Sequence, residues 1–362
     1  TRYIGDWSSD VCSSDLRRID NPVPTGRAGR GSALQLAFLL LLLGALGVLA
    51  GCGGGSIGTT DGATRTYTDV AGNKLTIPVR PQRVVALSEP SLDDSVALGV
   101  TPIATTAGRG QGTISAYLQG KVEGIGTVGI LGQPNIEKIA ALAPDLILTD
   151  GTAILDGSIV EKLQAIAPVV DVSKTGENWK TAFLATADIL GRQARGKALM
   201  AEYDARVKSV KSRLGANADA EVSIVRWGGI GLPAVLMREL AASRVLSDLG
   251  LRRPPFQDQQ GPGHSVPVGL ESLSDIDGDW IFFGSLGEGG PSGGVSEKPA
   301  DVASAEEAMR IAEDETPGFK RLRAYRLGHI VPVDGSAWTS AGGYLAEQVV
   351  LDDVERALDE GS

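Results

Sequence analysis

The run RQARGKALMAEYDARVKSVKSRL, Arg192 to Leu214, sets Leu199, Tyr203, Val207, Val210 and Leu214 at spacings of four and three. Lys197, Arg206, Lys208, Lys211 and Arg213 cover most of the remaining surface. A single apolar stripe on a charged rod predicts an amphipathic helix. At ~1.5 Å of rise per residue it is roughly 34 Å long, about the width of a lobe. Helical periodicity reaches back to Trp179, with Gly191 as the break between two helices.

On both sides of this rod the text alternates between short β-branched runs and helical periods. Upstream, Arg83–Ser88, Asp145–Thr149 and Pro168–Val172 read as strands, with helices over Leu92–Leu98, Ile136–Leu142 and Gly157–Ile166. Downstream, Val222–Trp227, Asp279–Phe283 and His329–Val333 read as strands, with helices over Glu239–Leu249 and Tyr344–Leu358. Strands alternating with helices imply βα units and parallel sheets. The expected fold class is therefore α/β, with two lobes, 66–190 and 215–362, about a connecting helix at 191–214. Gly284–Pro299, rich in Gly and Ser, reads as a mobile surface loop.

Ahead of the first lobe stands ALQLAFLLLLLGALGVLAGC, Ala33 to Cys52, an apolar run without a charge. Arg27 and Arg30 precede it, and Leu49-Ala50-Gly51 place small residues before the cysteine. A basic flank, an apolar core and small residues make a secretory signal over 1–51. The cysteine at its end resembles the lipobox of bacterial lipoproteins, in which the thiol is acylated, so Cys52 is the expected lipidation site. An uncleaved membrane anchor is the alternative reading. Gly53-Gly54-Gly55-Ser56 opens a flexible linker over 52–65. The first sixteen residues, TRYIGDWSSDVCSSDL, are unlike any signal and read as carried-over or wrongly extended sequence.

The 34 basic and 44 acidic residues of the chain include five and four, respectively, ahead of Cys52, so the remainder carries 29 against 40. An acidic body argues against nucleic acid as a partner. The two cysteines are Cys12 and Cys52. With Cys52 lipidated, the mature chain has neither a disulfide nor a thiolate metal site, and its core alone must stabilise it.

Enzyme signatures are weak. Gly124-Ile-Gly-Thr-Val-Gly129 matches the dinucleotide fingerprint in spacing, but Leu131-Gly-Gln-Pro134 follows and blocks the helix that motif requires. No HExxH motif occurs, and the GxSxG spacings, Gly54–Gly58 in the linker and Gly290–Gly294 in the Gly/Ser-rich loop, do not read as a strand-to-helix elbow. The histidines are His264 and His329, too few and too far apart for the usual zinc or manganese site. His329 opens a strand and reads as structural. No nucleophile–base pair can be assembled, so the chain is expected to be a non-enzyme with no cofactor and no metal.

What stands out instead are cationic and aromatic residues at strand ends: Arg109 in a glycine-rich turn, Arg226 and Trp227, Arg238, then Trp338 and Tyr344 about Ser340–Gly343. In open α/β sheets the ligand lies beyond the carboxyl ends of the strands. A guanidinium keeps its charge and forks onto carboxylate or hydroxamate oxygens. Arginines from both lobes with aromatic walls suit a bulky, oxygen-rich ligand; a surface arginine paired with a nearby acid is the plainer alternative, above all for Arg238.

From Thr66 to Leu358 the chain resembles the solute-binding lipoproteins of ABC importers for ferric siderophores, with relatives that carry cobalamin or haem. The resemblance rests on Asp69–Asn73, Ile77-Pro78 to Pro81–Val85, Leu98–Ile103, Pro134–Ile139 leading into Leu142–Ile147, Gly269–Leu273, and Val333–Gly335 through Leu351–Val354. It implies two Rossmann-like α/β lobes joined by one long rigid helix, with small lobe movements on binding. It also assigns Glu137 and Glu271, one per lobe, to docking on arginine pockets of the permease; each is equally a first-turn acid favoured by a helix dipole. Haem and bare-metal carriers of this kind commonly use Tyr or His on the iron, and this chain has few of either. The expected ligand is an iron(III)–siderophore complex, with cobalamin or haem, or a binding scaffold uncoupled from transport, as alternatives. The expected partners are the permease and its ATPase, with the membrane met through the lipid alone. The protein is expected to be a monomer, exported and anchored on the outer face of the cytoplasmic membrane.

Overall fold

The computed structural model describes residues 62–229, 232–286, 295–340 and 342–359. The expected signal, Cys52 and the expected linker up to residue 61 lie outside the described residues, as does 287–294 within the expected surface loop.

The described chain opens with an antiparallel hairpin, β1 (Thr64–Thr68) and β2 (Lys74–Pro78). Its first strand begins two residues inside the segment read as linker. The Asp69 carboxylate closes the turn by accepting the backbone N–H groups of Ala71 and Asn73.

The first sheet is built from β3 (Val84–Ala86), β4 (Ala104–Thr105), β5 (Gly126–Thr127), β8 (Leu146–Thr149) and β9 (Val169–Asp171), in the order β5-β4-β3-β8-β9, every pair parallel. Helices α1 (Glu89–Ala97), α2 (Ile136–Ala141) and α3 (Gly157–Gln164) connect its strands. The β3 and β8 runs are buried throughout, which is why they read as continuous apolar text instead of alternating. Between them the GxGxxG stretch forms no helix. It supplies β5 and then a small antiparallel pair, β6 (Gly129–Ile130) with β7 (Gln133–Pro134), so the expectation against a dinucleotide loop holds.

Helix α4 (Trp179–Ile189) ends before Gly191, whose φ of 66° puts the turn in the left-handed region. A Cβ there would meet the Val79 carbonyl oxygen at 2.8 Å, so glycine is required on two counts. The bridge is α5, Gln193–Lys211, 19 residues. Leu199, Tyr203 and Val210 on it, and Leu214 just beyond, are buried as expected, with Val207 half-buried. The helix is held along its length. Tyr203 donates to Asp248 at 2.7 Å and meets the Trp179 ring edge-on at 4.9 Å. Arg206 pairs with Asp352 and Glu355, and Arg213 with Glu355 and Asp359.

The second sheet takes β10 (Val222–Trp227), β11 (Pro233–Val235), β12 (Val266–Pro267), β13 (Trp280–Ser285) and β14 (Ile330–Val333) in the order β12-β11-β10-β13-β14. In sequence order both sheets run 3-2-1-4-5, so the lobes share one plan. They differ at one edge: β11 and β12 pair antiparallel, which corrects the expectation of a purely parallel sheet. Helices α6 (Ala241–Leu249), α7 (Val302–Glu315), α8 (Arg323–Leu327), α9 (Gly335–Trp338) and α10 (Tyr344–Leu358) complete the lobe. α7 replaces a stretch that carried no helix in the sequence reading. No described helix is long and apolar enough to cross a membrane.

One apolar cluster runs without a break through both lobes, from Val84, Leu146 and Phe183 to Val222, Phe282, Trp338 and Val354. Smaller clusters back the outer face of each sheet, around Ile147 in the first and Phe283 in the second. The lobes are two in topology and one in their core.

Candidate ligand-binding cleft

In each lobe the strand order reverses at the first strand, so the crevice beyond the carboxyl ends of β3 and β8, and of β10 and β13, is the place for a ligand. The chain puts Ser88 and Glu89 directly after β3, Asp150 and Thr152 after β8, and Arg226 near the end of β10. Ser88 caps α1: its hydroxyl accepts the Ser91 backbone N–H, and the Ser91 hydroxyl returns to the Ser88 N–H, a reciprocal pair that fixes the direction in which Glu89 leaves the strand.

Glu89 is the hub of the cleft. Its Oε1 accepts the backbone N–H of Arg109 at 2.9 Å and the Ser115 hydroxyl at 3.3 Å. Its Oε2 accepts the hydroxyl of Ser340 from the second lobe and lies 3.6 Å from Arg109 Nε. Arg109 is carried on a tight turn in which a Cβ at Gly108 would strike the Ser115 hydroxyl at 2.6 Å. Its Nη2 donates to Thr152 Oγ1 at 3.2 Å. From the second lobe Arg226 donates through Nη1 to Ser265 Oγ at 2.9 Å, while its Nε is buried without a hydrogen-bond partner among the described residues. Burial first, then the nearby Arg109 charge, pushes the Arg226 guanidinium down to about 10, with Glu89 pulling the other way. It stays charged at neutral pH. Of the three arginines expected at the cleft, Arg109 and Arg226 are near enough to act on one another electrically.

The rim above them is closed by hydrogen bonds between lobes. Gly112 N–H donates to the Ser296 carbonyl at 2.9 Å and Ser296 N–H to that of Gly110 at 2.8 Å. Ala116 N–H donates to Ser336 Oγ at 3.1 Å, and Ala300 N–H to Gln111 Oε1 at 3.3 Å. Between the lobes, beside Thr152, Thr175, Glu239 and Gly343, lies a cavity of about 70 Å³, small against the ~300–1,000 Å³ of typical ligand pockets.

The other expected site residues fall elsewhere. Trp227, next to Arg226, faces the opposite side of the strand, as strand alternation demands. It is buried against Phe283 at 5.5 Å and Phe319 at 6.0 Å. Trp338 stacks on Phe282 at 4.3 Å and donates its indole N–H to Asp353 at 2.7 Å. Tyr344 stacks on Phe183 at 4.9 Å and donates its hydroxyl to the Leu199 carbonyl. Trp338 and Tyr344 are core residues at the lobe junction, which corrects their reading as cleft walls. Trp227 is packed in the second lobe's outer cluster and edges a cavity of about 300 Å³ with Gly228, Ser285 and Lys298. Arg238 is exposed, 3.8 Å from Asp258, on a separate depression shared with Lys180 and Arg244, so the plainer reading of it holds. His264 is exposed; His329 stacks flat on Trp280 at 4.0 Å, a structural contact as expected. Glu137 and Glu271 are both exposed in first helical turns, one on each lobe. No group of three or more metal-ligating side chains occurs among the described residues.

The residues missed by sequence reasoning are Glu89, Thr152, Ser265 and Ser340. Position after a strand carried the signal for Glu89, but a helix start placed at Leu92 concealed it.

Two α/β lobes of matching topology, a helical bridge, and a cleft where two switch points face each other define a bilobal solute receptor. Residues 84–337 match the model of the periplasmic binding protein family, and the chain belongs to that family; its members are binding proteins, not enzymes. The probable siderophore-binding lipoprotein YfiY of Bacillus subtilis is 29% identical over 89% of this chain and 97% of its own. The achromobactin-binding periplasmic protein of Dickeya dadantii is 30% identical over 76% of this chain and 86% of its own. Among solved structures, Staphylococcus aureus SirA complexed with staphyloferrin B shares the fold with a TM-score of 0.65, at 24% identity over 82% of this chain and 98% of that one.

Proposed function

We propose that this chain captures a ferric siderophore in the cleft between its lobes, 66–190 and 215–362, and delivers it to the permease and ATPase of an ABC importer. The observation that carries the reading is the convergence of Arg109 and Arg226 from opposite lobes at paired switch points, with one guanidinium nitrogen left unpartnered. Guanidinium donors of this kind suit the oxygen shell of a chelated iron. The relatives named for siderophore binding support the same ligand class. The closed rim means that the ligand enters with the lobes parted, and the bridge helix restricts that parting to a small angle. Glu137 and Glu271 present one carboxylate per lobe to the permease, and lipid on Cys52 with its Gly-Ser leash holds the receptor, as a monomer, beside it on the outer face of the membrane.

The test is a titration of the lipid-free protein with hydroxamate, catecholate and citrate complexes of iron(III), followed by intrinsic tryptophan fluorescence. Saturable quenching by at least one of them is expected. Quenching by cobalamin or haem alone would overturn the ligand assignment. Charge reversal at Glu137 and Glu271 together should abolish uptake while leaving the titration unchanged; uptake that survives would remove the docking role.

A further inference from the structure

The charge balance of the cleft limits which iron complex it accepts. Arg109 and Arg226 supply two fixed positive charges, yet the Glu89 carboxylate lies against one of them and acts electrically on the other. Glu89 is almost wholly buried and accepts the Arg109 N–H and the Ser115 hydroxyl on its own lobe besides the Ser340 hydroxyl across the cleft, so two donors keep it in place even with the lobes parted. Two further acids about the cleft are likewise fixed. Asp150 accepts the N–H groups of Thr152 and Ala153, and Glu239 those of Gly261 and Gly263. The cleft therefore offers guanidinium donors without a large positive excess. A buried like charge repels an anionic ligand far more strongly than an exposed one, because little water screens it.

We infer that Glu89 sets ligand choice by charge: the cleft takes an uncharged iron(III) tris-hydroxamate in preference to a highly anionic tris-catecholate. The inference rests on the siderophore reading and narrows it to one chemical class. Hydroxamate oxygens remain good acceptors for Arg109 and for the free Nε of Arg226, while the complex as a whole brings no net charge to Glu89.

The experiment is a fluorescence titration of the full-length protein with two probes, ferrichrome as the uncharged tris-hydroxamate and ferric enterobactin as the trianionic tris-catecholate. Wild-type protein is expected to favour ferrichrome. Glu89→Gln, which removes the charge and keeps the shape, is expected to lower that preference by about tenfold or more. Glu89→Asp, which keeps the charge, is expected to retain the preference even where overall affinity falls. A wild-type preference for the trianion, an unchanged ratio in E89Q, or equal shifts in E89Q and E89D would overturn the inference and leave the siderophore reading standing. Binding of neither probe, nor of any other iron(III) complex, would overturn both.

Discussion

The Asp93 carboxylate in the first helix of the first lobe accepts the backbone N–H of Leu345, 252 positions later, at 2.7 Å. Its second oxygen takes the Ala346 N–H at 2.9 Å and the Tyr117 hydroxyl at 2.8 Å, while Asp94 takes the Tyr344 N–H at 3.0 Å. Gly343 offers no side chain to cap α10, so the opposite lobe performs the capping. A Cβ on Gly343 would strike the Asp93 carboxylate at 2.5 Å, which explains the glycine.

Asp93→Asn therefore tests the joint between lobes. An amide can accept through one oxygen only, and its NH₂ would face either the Ala346 N–H or the Tyr117 hydroxyl. Loss of about 1–3 kcal/mol is expected in urea denaturation, from buried donors left without acceptors. A midpoint unchanged from wild type would show that the cap contributes little.

The same neighbourhood makes stability depend on pH with an unusual sign. Burial pushes the Asp93 carboxyl up to about 6, against the hydrogen bonds that pull it down. Burial, then the Asp93 charge, raises Asp94. Burial, then Asp93, Asp248 and Asp94, raises Glu347, whose oxygens have no hydrogen-bond partner among the described residues. Each group holds its proton more tightly folded than unfolded, where carboxyls titrate near ~4. Their stabilisation is full below that value and is lost as pH rises through the folded values, about 6 for Asp93. Calorimetry should show Tm climbing as pH falls from about 8 to about 5, and Glu347→Gln should raise Tm at the upper end by a few degrees, roughly, and flatten the slope. A Tm that falls on this path, or an E347Q slope equal to that of wild type, contradicts the assignment.

Gly196 lies inside the bridge, where alanine would ordinarily gain about 1 kcal/mol of helix propensity. A Cβ there would meet the Ala187 Cβ at 2.6 Å, because α4 and α5 cross at that point. Gly196→Ala is accordingly expected to destabilise by about 1–3 kcal/mol through overpacking. Thermal unfolding decides the sign: a stabilised G196A would mean that the two helices can part freely.

Arg226 donates a hydrogen bond to Ser265 and carries a desolvated charge. Arg226→Met should leave folding stability within about 1 kcal/mol of wild type, since an apolar chain of similar length replaces a poorly satisfied one. It should weaken iron–siderophore binding by about tenfold or more. Equal affinity in R226M would remove this residue from the site.

Much of the fold was legible because burial on both faces writes strands as unbroken apolar text. Val222–Trp227 and Tyr344–Leu358 were read to the residue. The strands β11 and β12 were not, being three and two residues long. α7 was missed because the side chains it buries include Ala305 and Ala312, too small to mark an apolar period. In the cleft, the arginines could be found from the strand-end rule, but the same rule was stretched to the aromatic residues beside them. Alternation already contained the answer for Trp227: if Arg226 faces the cleft, its neighbour cannot. Trp338 and Tyr344 required knowledge of their partners Phe282 and Phe183, which lie far away in sequence.

The cap between Asp93 and the start of α10 also orders events in the life of the chain. α10 is the last described helix, 15 residues long, yet it finishes the first lobe by covering α1 and stacking Tyr344 on Phe183. A ribosome that has released only the first half of the protein has released a lobe with an uncovered apolar face and an uncompensated pair of buried acids. The amino-terminal half thus stays unfinished until α10 has been made.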